Sequence, residues 1–169
     1  ETVLRFSREN LAFLKRKNVK MIVIACNTAS SNALPRLLEE EEMPLVGVLV
    51  PGARAAARAT KSRRVGVIGT TATIRSGGYE DELYRIDRGI KIWSRACPLF
   101  VPLVEEGWLD DDITHLTAKR YLDPMKEFGA DALVLGCTHY PVIKGVISRA
   151  VGDGVTLVDS AFETAVEVE

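Results

Sequence analysis

The chain has 169 residues, 47% of them hydrophobic, with 22 basic side chains against 23 acidic ones. At this length roughly 70% of the unfolded surface can be buried, so a globular core is expected and disorder is excluded. Near-balanced charge leaves no field of one sign for nucleic acid or an anionic membrane, and no run of about 20 apolar residues offers a membrane span, so the expected partner is a small molecule. The three cysteines form no C-x-x-C pair and nothing resembles a secretory signal, which points to a reducing cytoplasm.

In chain order, Leu4, Leu11 and Leu14 share one face of a helix predicted over 2–17. A strand over 19–25 follows, ending Val23-Ile24-Ala25, and Cys26 comes directly after it with Asn27 and Thr28 beyond. A helix over 31–41 and a strand over 45–49 lead to Pro51-Gly52, which opens a helix over 52–60. Lys61-Ser62-Arg63-Arg64 is a solvated link into a strand over 64–69, after which come Thr70, Thr71 and Thr73. Then follow a helix over 78–87, a strand over 90–94, a helix over 111–128 and a strand over 131–136 that runs Val134-Leu135-Gly136 into Cys137, Thr138 and His139. A helix over 140–150, a strand over 155–159 and a helix starting at Ala161 complete the series. This alternation predicts an α/β fold with parallel sheets and crossover helices. The chain opens without methionine inside one helical pattern and closes inside another without a cap, so segments are expected to be missing at both ends.

Cys26 and Cys137 each end an apolar run at the place where open α/β sheets hold their ligands. A thiol at its ordinary value is mostly protonated at neutral pH, and a helix N-terminus favours the thiolate. Both cysteines stand before a helix, so both are expected to use that effect, and the same N–H groups with the hydroxyls of Thr28 and Thr138 would bind a carboxylate. The competing reading is plain packing, since free cysteine is among the most buried residue types. Cys97, followed by Pro98 and no polar cluster, takes that reading; for the other two, the polar residues directly after the strand favour function.

His139 can tune Cys137 or exchange protons with it, or can simply start a helix, while His115 reads as an ordinary surface residue. Cys137 and His139 lack an evident third ligand, so no metal is expected. Gly66-Val67-Ile68-Gly69 lacks the spacing of a nucleotide loop, and Thr70 and Thr73 either line a cleft or cap a helix. Glu105-Glu106 and the 39–42 glutamates read by pattern as solvated helix ends.

Cys26-Asn27-Thr28-Ala29-Ser30, taken with Gly136-Cys137-Thr138-His139-Tyr140-Pro141, resembles the paired signature of the glutamate racemases within the aspartate/glutamate racemase superfamily. Pro51-Gly52-Ala53, Val67-Ile68-Gly69-Thr70 and the stretch from Cys97 to Glu105 agree, and the likeness runs over essentially the whole chain. The resemblance implies two pseudo-symmetric lobes with parallel sheets flanked by helices and the active site in the cleft between them. The first lobe would comprise 1–50 with 151–169, incomplete, and the second 51–150. It implies a cytoplasmic isomerase, independent of any cofactor, that interconverts L- and D-glutamate and supplies the D form for peptidoglycan synthesis, with homodimer formation left open.

By the same resemblance Cys26 and Cys137 are the two catalytic bases and His139 assists the second. Asn27, Thr28 and Thr138 match substrate contacts, Thr70 and Thr73 map to the cleft, and Glu105 matches a candidate auxiliary group. The family's Asp-Ser pair and Tyr-Gly loop have no counterpart in these residues, so weak or absent activity is expected of these 169 residues alone. Three alternatives stand beside this reading: an aspartate or hydantoin racemase of the same superfamily, a Cys-His nucleophilic hydrolase or transferase using Cys137 and His139, and a non-catalytic binding protein on the same fold.

Overall fold

Six strands fall into two parallel sheets in the computed structural model, which describes residues 1–169. The smaller sheet pairs β1 (Ile22–Ile24) with β2 (Leu45–Gly47). The larger has the order β4-β3-β5-β6, from β3 (Arg64–Gly69), β4 (Lys91–Ala96), β5 (Ala132–Gly136) and β6 (Thr156–Asp159). The helices are α1 (Thr2–Lys15), α2 (Asn27–Asn32), α3 (Leu34–Glu40), α4 (Leu49–Ala59), α5 (Thr71–Arg75), α6 (Gly78–Ile86), α7 (Phe100–Glu105), α8 (Asp112–Phe128), α9 (Lys144–Val151) and α10 (Ser160–Val168). A 3-10 turn, Tyr140–Ile143, precedes α9.

The central strands β3 and β5 are nearly continuous apolar runs because both faces of a parallel sheet are covered. Successive side chains alternate between those faces. Ile68, Leu133 and Leu135 pack under α8 and α9 with Phe100, Leu122, Met125 and Ile147. Val65, Val67, Ala132 and Val134 pack under α4 and α6 with Ala53, Ala56, Tyr79 and Leu83. The register Gly69↔Gly136 brings the ends of β3 and β5 level, so Thr70 and Cys137 leave the sheet side by side. Around the smaller sheet the core is thin: Leu11, Ile22, Ala33 and Leu37 are buried, while Val23 in mid-strand is 43% exposed.

The strands fall where the sequence places them, and three helical features differ. The polar segment Asn27–Asn32 is helical, and α3 follows it from Leu34 with Ala33 buried between them. The helix expected from residue 52 begins at Leu49, so Pro51 sits in its first turn, where a missing N–H costs nothing. Two short helices, α5 and α7, lie where only their ends, Thr70 as a cap and Glu105 as a helix end, were marked in the sequence.

The expected grouping of 151–169 with 1–50 also differs from this arrangement. β6 pairs with β5 in the register Leu133↔Leu157 and Val134↔Val158, and Val158 is buried in the larger core. Two exposed ion pairs, Arg54 with Glu167 and Arg58 with Glu163, run from α4 to α10. Residues 156–168 therefore lie with the larger sheet. Hydrogen bonding and burial at β5 decide the partner of β6, and neither is encoded in the six residues around it.

Candidate active site

Both sequence-selected cysteines lie at strand ends, in unlike environments. Cys26 is exposed and forms the N-cap of α2, its carbonyl accepting the first helical bond from Ser30 N at 2.8 Å. The positive end of the α2 dipole is therefore beside its thiol. Cys137 follows β5 and is 7% exposed. Burial pushes its thiol above the ordinary value and the charge of nearby Cys26 adds to that, while the His139 backbone N–H and the Thr138 hydroxyl pull the other way. The expectation that both thiols gain acidity from a following helix therefore fails at Cys137, where desolvation outweighs the donors.

Three threonine hydroxyls join the segments. Thr28 Oγ1 lies 2.8 Å from Thr70 Oγ1 and 3.0 Å from Thr73 Oγ1, and the latter two are 3.0 Å apart. Thr70 also caps α5 by accepting from Thr73 N at 3.1 Å, the second of the two roles expected for it. The first turns of α2 and α5 thus converge on one cluster with Cys137 alongside. Thr138 is exposed. The cluster contains no lysine or arginine; its means of holding a carboxylate are N–H groups, hydroxyls and helix dipoles.

Behind Cys137 stands an acid–imidazole pair. His139 Nδ1 is 3.8 Å from Cys137 Sγ, and its Nε2 is 3.2 Å from Glu105 Oε1 at the end of α7. Glu105, a solvated helix end by pattern alone, is mostly exposed yet aimed at this histidine. The turn is held from below by Tyr140, whose Oη donates to the Cys97 carbonyl at 2.9 Å and whose ring meets Phe100 edge-on. Cys97 is fully buried, its thiol pushed up to about 12 by burial against a smaller opposing effect of Arg95, in keeping with a packing role. His115 lies at the surface, as expected, where its Nε2 is 2.7 Å from Asp110 Oδ1, which also pairs with Arg149. That group of side chains belongs to α8, α9 and the loop before α8 and takes no part in the thiol cluster.

Asn27, expected to face substrate, is turned inward and only 2% exposed. Its Oδ1 accepts from Tyr79 Oη at 2.5 Å, and its Nδ2 donates to Ser160 Oγ at 3.2 Å. Its backbone N–H lies in the first turn of α2, where the helix itself supplies no acceptor. Tyr79 and Ser160 are partners of Asn27 that carry no signal in the sequence. The partners lie 52 and 133 residues from Asn27, and no local period signals such a contact. No cluster of three or more His, Cys, Asp or Glu side chains is arranged to hold a metal ion, and no helix is long and apolar enough to cross a membrane.

Residues 3–168 match the family model described as Asp/Glu/Hydantoin racemase. The chain is 54% identical over 165 residues to the glutamate racemase of Geobacter metallireducens, covering 98% of this chain and 61% of that relative. Among solved structures it superposes on glutamate racemase isoform RacE1 from Bacillus anthracis with a TM-score of 0.95 at 41% identity, over 99% of this chain and 63% of that one. It superposes on the glutamate racemase from Francisella tularensis in complex with D-glutamate with a TM-score of 0.91 at 34% identity, over 99% of this chain and 62% of that one. The chain thus spans about three fifths of the length of these relatives.

Proposed function

Since the chain belongs to the Asp/Glu/hydantoin racemase family, we propose that it carries the two-thiol centre of a glutamate racemase. The observation that carries this reading is the pair of unlike thiols around one hydroxyl cluster. Cys26 is open at a helix N-terminus, while Cys137 is buried, its thiol pushed above the ordinary value by that burial, and backed by His139 and Glu105. Stereoinversion at an α-carbon needs one base and one acid on opposite faces, and the mutual influence of the two sulfurs disfavours a second thiolate beside the first.

In the proposed reaction the glutamate α-carboxylate and α-carbon lie among Thr28, Thr70, Thr73 and Thr138. One sulfur, as thiolate, takes the α-proton; the other, as thiol, delivers a proton to the opposite face. The roles reverse with the direction of reaction. Negative charge on the planar intermediate falls on the carboxylate, which free first-turn N–H groups of α2 and α5 would receive together with threonine hydroxyls that exchange their bonds to one another for bonds to substrate. His139, held by Glu105, is placed to exchange a proton with Cys137 Sγ. The two thiols supply both proton-transfer groups, so the reaction as proposed calls on no cofactor. We assign the activity to the cytoplasm, with D-glutamate entering peptidoglycan synthesis.

Solvent deuterium incorporation at Cα distinguishes the substrate: L- and D-glutamate are expected to exchange in D2O, and exchange with aspartate or a hydantoin alone would overturn the assignment. A nucleophilic hydrolase using Cys137 and His139 would leave Cys26 dispensable, and a binding protein would exchange nothing.

A further inference from the structure

Tyr79 touches the turns that carry both thiols, and nothing in the reaction described so far uses it. It is the second residue of α6 and is 1% exposed. At one end its hydroxyl donates to Asn27 Oδ1 at 2.5 Å, and Asn27 directly follows Cys26. Along its side the ring lies against Gly136, the residue before Cys137: a Cβ built on that glycine would stand 3.2 Å from Tyr79 Cε2. Gly52 of α4 makes room on another side, since a Cβ there would lie 3.2 Å from Oη and 3.0 Å from the Ser160 Cβ. Ser160 closes the network by accepting from Asn27 Nδ2. Burial pushes the phenol far above its ordinary value, so the hydroxyl is a donor at every working pH.

We propose that Tyr79 is a positioning residue for racemisation: a strut whose ring rests on the Cys137 turn and whose hydroxyl tethers the Cys26 turn, fixing the gap between the two sulfurs. The inference rests on the two-thiol reading above. A rigid ring is suited to the task, because it has few rotamers to lose and it lies in the core under α4, wedged between two backbones that carry no side chain at the contact. The tether acts on one side only. Removing the hydroxyl takes the short bond from Asn27 Oδ1 and leaves Asn27 held by Ser160 alone, which loosens the first turn of α2, while the ring still supports Gly136.

The test is Tyr79→Phe, which keeps the ring. Glutamate turnover is expected to fall about tenfold, as for a small displacement of a proton-transfer group. The ratio of the α-deuterium isotope effects for L- and D-[2-²H]glutamate is expected to change by about twofold, since only the Cys26 step is slowed. A merely structural role would shrink the active fraction and leave that ratio unchanged, which would overturn the proposal. Hydrogen exchange followed by mass spectrometry is read on the same variant. The peptide spanning 24–32 should exchange about tenfold faster, with α8 unchanged as the reference. If the wild-type full-length protein does not racemise glutamate, the functional reading fails, and the exchange experiment alone then decides the tether. No change at 24–32 overturns it.

Discussion

Gly136→Ala tests how the last residue of β5 sets the position of Cys137. A Cβ at Gly136 would stand 2.6 Å from the Ile68 carbonyl oxygen and 3.2 Å from Tyr79 Cε2. Ordinary van der Waals contact begins at 3.4 Å, so the oxygen and the new carbon must separate by about 3.4 − 2.6 = 0.8 Å. Ile68 belongs to β3, paired with β5 on one side and β4 on the other, so the strain cannot be relieved by rotating a side chain. Overpacking of a core usually costs about 1–3 kcal/mol, and backbone as the colliding partner puts this site toward the upper end. A displacement of that size at the residue before Cys137 should lower racemisation by about a hundredfold. The control is Gly145→Ala in α9, where a new Cβ would meet Arg149 Nη1 at 3.8 Å; it should stabilise by about 0.5–1 kcal/mol and leave activity intact. Urea midpoints and glutamate racemisation are measured for both variants. The reasoning is refuted if Gly136→Ala unfolds within about 0.5 kcal/mol of wild type and keeps half its activity.

Glu105→Gln removes the charge facing His139 at a mostly exposed position. Stability should change by less than about 0.5 kcal/mol, because an exposed pair contributes little, while kcat should fall about tenfold, less than the loss of a proton-transferring group itself costs. Unchanged kcat in a racemisation assay would remove Glu105 from the relay. Asp131 tests the link between α4 and β3. Burial works to raise its pKa, but bonds from Thr60, Ser62 and Lys61 outweigh burial and hold it below the usual carboxylate range. A carboxylate depressed on folding contributes stability that is fully present above its unfolded pKa and is lost as pH falls through the folded one. Asp131→Asn should therefore cost about 2 kcal/mol at pH 7 and flatten the loss of stability below about pH 4. Denaturant titrations from pH 7 to pH 2.5 check this, and parallel curves for the two proteins would contradict it.

The buried strands were legible because a parallel sheet covered on both faces demands unbroken apolar runs, and Val65 to Gly69 and Ala132 to Gly136 are such runs. Helix α2 was not, since Asn-Thr-Ala-Ser-Ser-Asn has weak helical propensity. It forms where Ser30 Oγ bonds the Ile24 carbonyl at 2.8 Å and Ala33 is buried against its neighbours. In sequence Cys26 and Cys137 looked equivalent; three-dimensional burial separates them, leaving one exposed and one desolvated. Glu105 carried no signal of its own beyond the family resemblance, because its partner His139 lies 34 residues away. Asn27 shows the opposite effect: the family resemblance implied a substrate contact, yet its side chain is engaged by Tyr79 and Ser160.

The central claim is that two thiols on opposite faces of one substrate share the chemistry. Cys26→Ser and Cys137→Ser, each assayed for racemisation and for solvent deuterium incorporation into L- and D-glutamate, test it most directly. The account predicts that racemisation falls by at least about 10²-fold in both variants, as for loss of an acid or base. Full racemisation by Cys26→Ser, with loss only in Cys137→Ser, would contradict it and leave a single-cysteine mechanism.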